Sequence, residues 1–108
     1  METSNYLQKK KARLEETLSS FLSGEDSMVF AAMRYAVFSG GKRIRPLLLL
    51  ATGEYFGLTE EILLPYACAI ECIHNYSLIH DDLPAMDNDD IRRGQPTCHK
   101  IFGEALAL

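Results

Sequence analysis

Apolar side chains recur every three or four positions along most of the chain, and no stretch alternates strictly between apolar and polar. That spacing belongs to helices with one buried face. Over residues 4–22, Leu7, Leu14, Leu18, Phe21 and Leu22 fall on one side, with Lys9, Lys10, Lys11, Arg13, Glu15 and Glu16 opposite. Ser23-Gly24 predicts the end of this helix. A second helix is predicted over about 27–38, capped by Asp26 or Ser27 and stopped at Ser39-Gly40-Gly41, where glycine can turn left-handed. A third covers 45–56: Pro46 suits a first turn, whose N–H groups lack helical partners anyway, and Gly57 ends it. Thr59, ahead of Glu60 and Glu61, caps a fourth. Pro65 falls in its first turns or separates a short lead-in helix from the main one. From Pro65 to Ile79 the run is apolar nearly all round, which predicts a buried helix. A last helix starts near 97–100 and carries Ile101, Phe102, Ala105, Leu106 and Leu108. The class is all-α, and the length, 108 residues, predicts a single segment over 1–108.

Composition narrows the partners. A hydrophobic fraction of 47% fits a globular fold, and a net charge of -4 gives no reason to expect nucleic acid. Three cysteines at no secreted-framework spacing point to reduced thiols and a cytoplasmic setting. Cys68 and Cys72 stand one helical turn apart and would supply half a zinc site, but no second pair matches them. The first twenty residues mix charge with apolar positions and do not read as a signal peptide. The longest uncharged stretch, Ile62 to Ile70, is too short for a membrane span. The basic helix at 4–22 can be read as membrane-surface or, in preference, as the surface helix of an α-domain. The closing Ala-Leu-Ala-Leu lies inside an apolar helical pattern, so the chain is expected to be part of something longer.

Charge is concentrated at one place. Asp81, Asp82, Asp87, Asp89 and Asp90 fall within ten positions, with Arg92 and Arg93 directly after them. Two carboxylates ~4 Å apart at an effective dielectric of ~20 repel by on the order of 4 kcal/mol. They coexist by reaching water, by protonation, or by sharing a cation. Because an apolar helix leads into the block, a hard-cation site with oxygen ligands ranks above a solvated acidic loop. His74 and Asp81, seven apart, return to nearly the same helix face. Pro84 breaks the helix, so the chain after it can bulge and bring Asp87 back toward Asp81. Magnesium uses one or two carboxylates plus phosphate oxygens and water, so cations are expected across from the acids. Gly40-Gly41-Lys42-Arg43-Ile44-Arg45-Pro46 offers amides and forked guanidinium groups, though by itself a solvated turn explains it equally well. It is not a nucleotide P-loop, and no Gly-x-Ser-x-Gly elbow exists for a serine nucleophile. His74 has two readings, a core histidine bonded to Glu71 or a ligand contact, the shared face with Asp81 favouring the second. His80 and His99 are read as structural or supporting, and Tyr76 by its type as core.

Gly40-Gly41-Lys42-Arg43-Ile44-Arg45-Pro46, then His74, then Asp81-Asp82 with Asp87 leading into Arg92-Arg93-Gly94, resembles the trans-isoprenyl diphosphate synthases, or polyprenyl synthetases. The likeness runs from about residue 28 to the end; within the family the bacterial farnesyl diphosphate synthases come nearest, then the geranylgeranyl type. The resemblance implies the N-terminal part of the isoprenoid synthase helical bundle. It also implies Mg2+-dependent condensation of isopentenyl diphosphate with an allylic diphosphate, dimethylallyl or geranyl. By that resemblance Asp81 and Asp87 hold Mg2+, Asp82 supports them from behind, and Arg92 takes the allylic diphosphate. Lys42, Arg45, His74 and Arg93 take the isopentenyl diphosphate. Tyr76 occupies the position that gauges chain length, where a bulky ring favours a farnesyl product over geranylgeranyl. The family carries a second aspartate-rich motif that this chain lacks, and its members are longer homodimers. The chain is therefore expected to be inactive alone. Two rivals stand beside this reading. One is a non-catalytic helical segment that binds a cation or a basic partner. The other is a terpene cyclase or squalene-type enzyme, disfavoured because Lys42, Arg45 and His74 imply a second diphosphate site.

Overall fold

The structure, a computed structural model, describes residues 2–24 and 26–108. The described residues are chiefly helical, in the order α1 (Glu2–Leu22), α2 (Met28–Phe38), α3 (Ile44–Tyr55), α4 (Glu60–Asp82), β1 (Ile91–Arg92), β2 (Gln95–Pro96), α5 (Cys98–Phe102) and α6 (Glu104–Ala107). They fall into two compact units: residues 2–21 with 42–71, and residues 22–24 and 26–41 with 72–108.

In the first unit, α1, α3 and the opening of α4 bury Leu14, Leu18, Leu50, Leu63, Leu64, Ala67 and Cys68. Leu14 and Leu18 lie one turn apart on α1, the spacing that makes a buried stripe. Leu7 and Phe21, expected on the same face, are exposed. α3 and α4 approach closely at Gly53, where a Cβ would run into the side chain of Leu63. α4 is one continuous helix, with Pro65 barely past its first turn. There the missing N–H removes a single hydrogen bond near an end that frays anyway.

The burial of α4 is one-sided. Leu63, Leu64, Ala67, Cys68, Glu71 and Asn75 are covered, whereas Ile62, Tyr66, Ile73 and Tyr76 are exposed. The sequence predicts a helix buried all round; the described chain covers one face only. By length and composition alone α4 could also cross a membrane, contrary to the reading of its uncharged stretches. The core helix of a soluble domain passes the same test, and α4 carries the buried, ion-paired Glu71.

The second unit contains α2, the end of α4, the ribbon and the last two helices. Ser27 caps α2, its Oγ accepting from Phe30 N–H at 3.3 Å. Ala32, Leu83, Cys98 and Ala107 form the core, with Ile79 and Phe102 packed against it. The single helix expected from 97 onward is broken into α5 and α6 at Gly103, whose φ of 84° is left-handed and stops helical hydrogen bonding. The other departure from the sequence reading is the ribbon, which pairs Ile91 with Pro96 and Arg92 with Gln95. Its two-residue loop, Arg93-Gly94, has both φ values positive, 53° and 76°, as a type I′ hairpin requires.

α1 is tied to the rest of the first unit by a polar network. Tyr6 and Lys10 donate to Glu54 at 2.6 and 2.7 Å, Arg13 donates to Glu60 at 2.9 Å, and Lys10 also bonds Glu60. Hydrogen bonds from Lys10 and then Arg13 hold the Glu60 carboxyl below its ordinary value, and those from Lys10 and then Tyr6 do the same for Glu54. The unfolded chain therefore binds protons more tightly, and stability from these groups is complete above the ordinary carboxylate value of 4.5 and lost as pH falls through the lower folded values. Lys10→Met is expected to cost up to about 1 kcal/mol near neutral pH. It should also flatten the fall in stability on acidification, as measured by urea unfolding at a series of pH values.

Candidate functional site

α4 ends at Asp82 because Pro84 cannot continue it. The chain then makes a short excursion and returns. Met86 N–H and Asn88 N–H both donate to Leu83 C=O, at 2.9 and 3.0 Å, and Asn88 is left-handed at φ 53°. Asp87 N–H then bonds Asp81 C=O at 2.8 Å, and Asp89 N–H bonds Asp82 C=O at 3.1 Å. These two bonds lay the returning strand of the loop against the helix end, bringing Asp87 beside Asp81. Thr97 completes the stitching, its N–H donating to Asp90 C=O and its Oγ1 to Asp89 C=O, both at 2.9 Å.

The five acids divide by environment. Asp82 is buried and accepts two bonds from the Arg92 fork, Nε to Oδ2 at 2.7 Å and Nη2 to Oδ1 at 2.8 Å. This pairing is the main reason the Arg92 pKa is raised. Asp81, Asp87, Asp89 and Asp90 are exposed, and Asp90 pairs loosely with Lys100 at 3.1 Å. Among the described residues no three His, Cys, Asp or Glu side chains converge as a metal-ligand set. A closed protein cage is therefore not what these residues offer. Two exposed acids whose backbones meet, Asp81 and Asp87, fit a hard cation such as Mg2+, which fills its remaining positions with water and phosphate oxygens.

Behind the acids the arginines are held in place. Arg93 Nη1 donates to Asn75 Oδ1 at 3.3 Å and lies 3.5 Å from Ser39 Oγ. Its guanidinium lies across Gly41, where a Cβ would stand 3.1 Å from Nη2 and 3.2 Å from Cζ. Gly40 and Gly41 also have φ of 118° and 130°, which side chains rarely adopt. A cavity of about 30 Å3 is lined in part by Arg92, Arg93, Asn75 and Asp82, room for one or two waters.

In the first unit, Lys42 and Arg45 are exposed at the start of α3. Arg43, which charge alone groups with them, is buried instead. On the second half of α4, His74 is half-buried and Tyr76 is 56% exposed, its ring 4.3 Å from that of His80. His80 Nε2 lies 2.9 Å from Leu108 C=O. His99 is buried, with neither ring nitrogen hydrogen-bonded. Glu71, the partner in the less favoured of the two readings of His74, accepts from Arg43 Nη1 at 2.9 Å.

A sequence profile of the polyprenyl synthetase family matches residues 26–108. The chain belongs to the polyprenyl synthetase family. It is 53% identical over 105 residues to a farnesyl diphosphate synthase of Geobacillus stearothermophilus, covering 95% of this chain and 35% of that protein. It is 54% identical over 104 residues to a geranylgeranyl diphosphate synthase of Cyanophora paradoxa, with the same coverage, 95% and 35%. Among solved structures, a geranyltransferase from Legionella pneumophila superposes with a TM-score of 0.92 at 47% identity, over 96% of this chain and 38% of that one. A geranyltranstransferase from Thermotoga maritima gives 0.90 at 50% identity, over 94% and 39%. The all-α isoprenoid synthase fold is thereby shown for this chain, which spans about a third of the length of the curated relatives it matches.

Asn75 and Ser39, which orient Arg93, were not singled out from the sequence. The available signal was a lone amide at a position that turns out to be buried on an apolar helix. Gly41→Ala should strain the backbone and displace the Arg93 guanidinium, costing about 1–3 kcal/mol. Gly24, with nothing within 4 Å of a Cβ, is the control. Gly24→Ala should stay within about 0.5 kcal/mol of the parent in urea unfolding.

Proposed function

We propose that this chain forms the diphosphate-binding end of a trans-prenyltransferase that condenses isopentenyl diphosphate with an allylic diphosphate. The observation that carries the reading is the 2.8 Å bond from Asp87 N–H to Asp81 C=O, which holds the backbones of two exposed acids together. In this reading Asp81 and Asp87 hold the Mg2+ ions that accompany the allylic diphosphate. Asp82 supports them by fixing Arg92, which faces the same diphosphate. Lys42, Arg45, His74 and Arg93 hold the diphosphate of isopentenyl diphosphate. Bound Mg2+ would neutralise charge gathering on the departing diphosphate.

The chain's own contribution is binding and orientation. Tyr76 and Ile73 present an exposed apolar surface on the helix that ends in the acids. A hydrocarbon tail running back from the diphosphate would lie along it and meet the Tyr76 ring about a turn and a half from Asp81. That ring supports a farnesyl product. A geranylgeranyl product is the alternative, supported by the likeness to the Cyanophora paradoxa protein.

Inorganic pyrophosphate titrated calorimetrically into the 108-residue chain tests the reading. Mg2+ is expected to strengthen binding at least about tenfold, near 1.4 kcal/mol. Asp81→Ala and Asp87→Ala should each abolish that gain, and Asp90→Ala should leave it. A gain that survives loss of both Asp81 and Asp87, or no gain from Mg2+, would contradict the reading.

A further inference from the structure

Arg43 is 3% exposed and stands at the N-cap of α3 in the left-handed conformation, φ 57° and ψ 33°. Its side chain turns inward to two acids. Nε donates to Glu15 Oε1 at 2.6 Å and Nη2 to Glu15 Oε2 at 3.3 Å, a forked pair with α1. Nη1 donates to Oε2 of Glu71 at 2.9 Å, and Glu71, on α4, is 2% exposed. One cation thus joins three helices of the first unit.

Buried ion pairs of this kind do not by themselves stabilise a fold more than apolar packing would. Left-handed backbone at a non-glycine residue adds a cost of its own. What the arrangement supplies is direction: a guanidinium fixed at three nitrogens fixes the backbone that carries it. The residues next to that backbone are Lys42 and Ile44-Arg45, and Lys42 and Arg45 both face solvent.

We propose that Arg43 is a positioning residue, clamped by Glu15 and Glu71, that presents Lys42 and Arg45 as a fixed pair of cations to one diphosphate. The proposal rests on the reading of Lys42 and Arg45 as diphosphate ligands. It also gives Glu15 and Glu71 a purpose in anion binding although both carry the wrong sign to touch an anion.

The test is binding of inorganic pyrophosphate to the 108-residue chain without Mg2+, alongside hydrogen exchange at the amides of Lys42, Arg43 and Ile44. Lys42→Ala and Arg45→Ala should each weaken binding by about tenfold, the loss of one charge-assisted hydrogen bond. Arg43→Lys keeps the charge and loses the fork, and should weaken binding several-fold while the fold persists by circular dichroism. Glu15→Gln decides between mechanisms, because removing a negative charge strengthens anion binding by Coulomb attraction alone. The clamp requires the opposite: weaker binding and faster exchange at the three amides. Tighter or unchanged binding in Glu15→Gln would overturn the proposal, and if Arg43→Lys fails to fold, Glu15→Gln decides alone. Unchanged binding in both Lys42→Ala and Arg45→Ala would instead refute the diphosphate reading, and the proposal would fall with it.

Discussion

The hydrogen bond from Asp87 N–H to Asp81 C=O is the constraint on which the candidate site depends. Carboxylates repel, and a chain leaving a helix has no intrinsic reason to turn back toward its last acids. Pro84 stops the helix, Leu83 C=O gathers two amides of the excursion, and the backbone then closes on the helix end. The closure uses backbone groups alone, so the side chains of Asp81 and Asp87 stay available at the surface. Exposure keeps their mutual repulsion small in water, and a divalent cation would convert it into attraction.

Charge is divided throughout between groups that hold the structure and groups that face outward. Asp82 and Arg92 neutralise each other through a fork while the neighbouring Asp81 remains exposed. Arg43 is spent on Glu15 and Glu71 while Lys42 and Arg45, on either side, face solvent. In both places adjacent residues of the same sign have opposite duties. The inward member gains a rigid partner, which would lower the freedom lost if the outward member took a ligand, as proposed.

The helices were largely legible because their period is local: α1 to α3 and the start of α4 lie within two residues of the spacing pattern, and Ser27 is the cap that its side chain makes it. The all-α class followed from the same spacing. Less legible were features set by residues far apart in sequence. Nothing near Arg43 announces that Glu15 and Glu71 await it, so charge alone placed it with Lys42 and Arg45. The Arg93-Gly94 hairpin escaped because arginine is an uncommon residue at a left-handed turn position. Gly103 divides the last helix through a backbone conformation that apolar periodicity does not register. One face of α4 was misjudged because apolar composition reports what a helix can bury, not what covers it.

Paramagnetic broadening tests the central claim most directly. Mn2+, a substitute for Mg2+ with the same preference for oxygen ligands, would be added to the isotope-labelled chain with inorganic pyrophosphate. Broadening centred on the amides of Asp81, Asp82 and Asp87, and much stronger with pyrophosphate than without it, is the expected result. Broadening that spreads evenly to other exposed acids such as Glu16, Glu61 and Glu104, or that ignores pyrophosphate, would contradict the account.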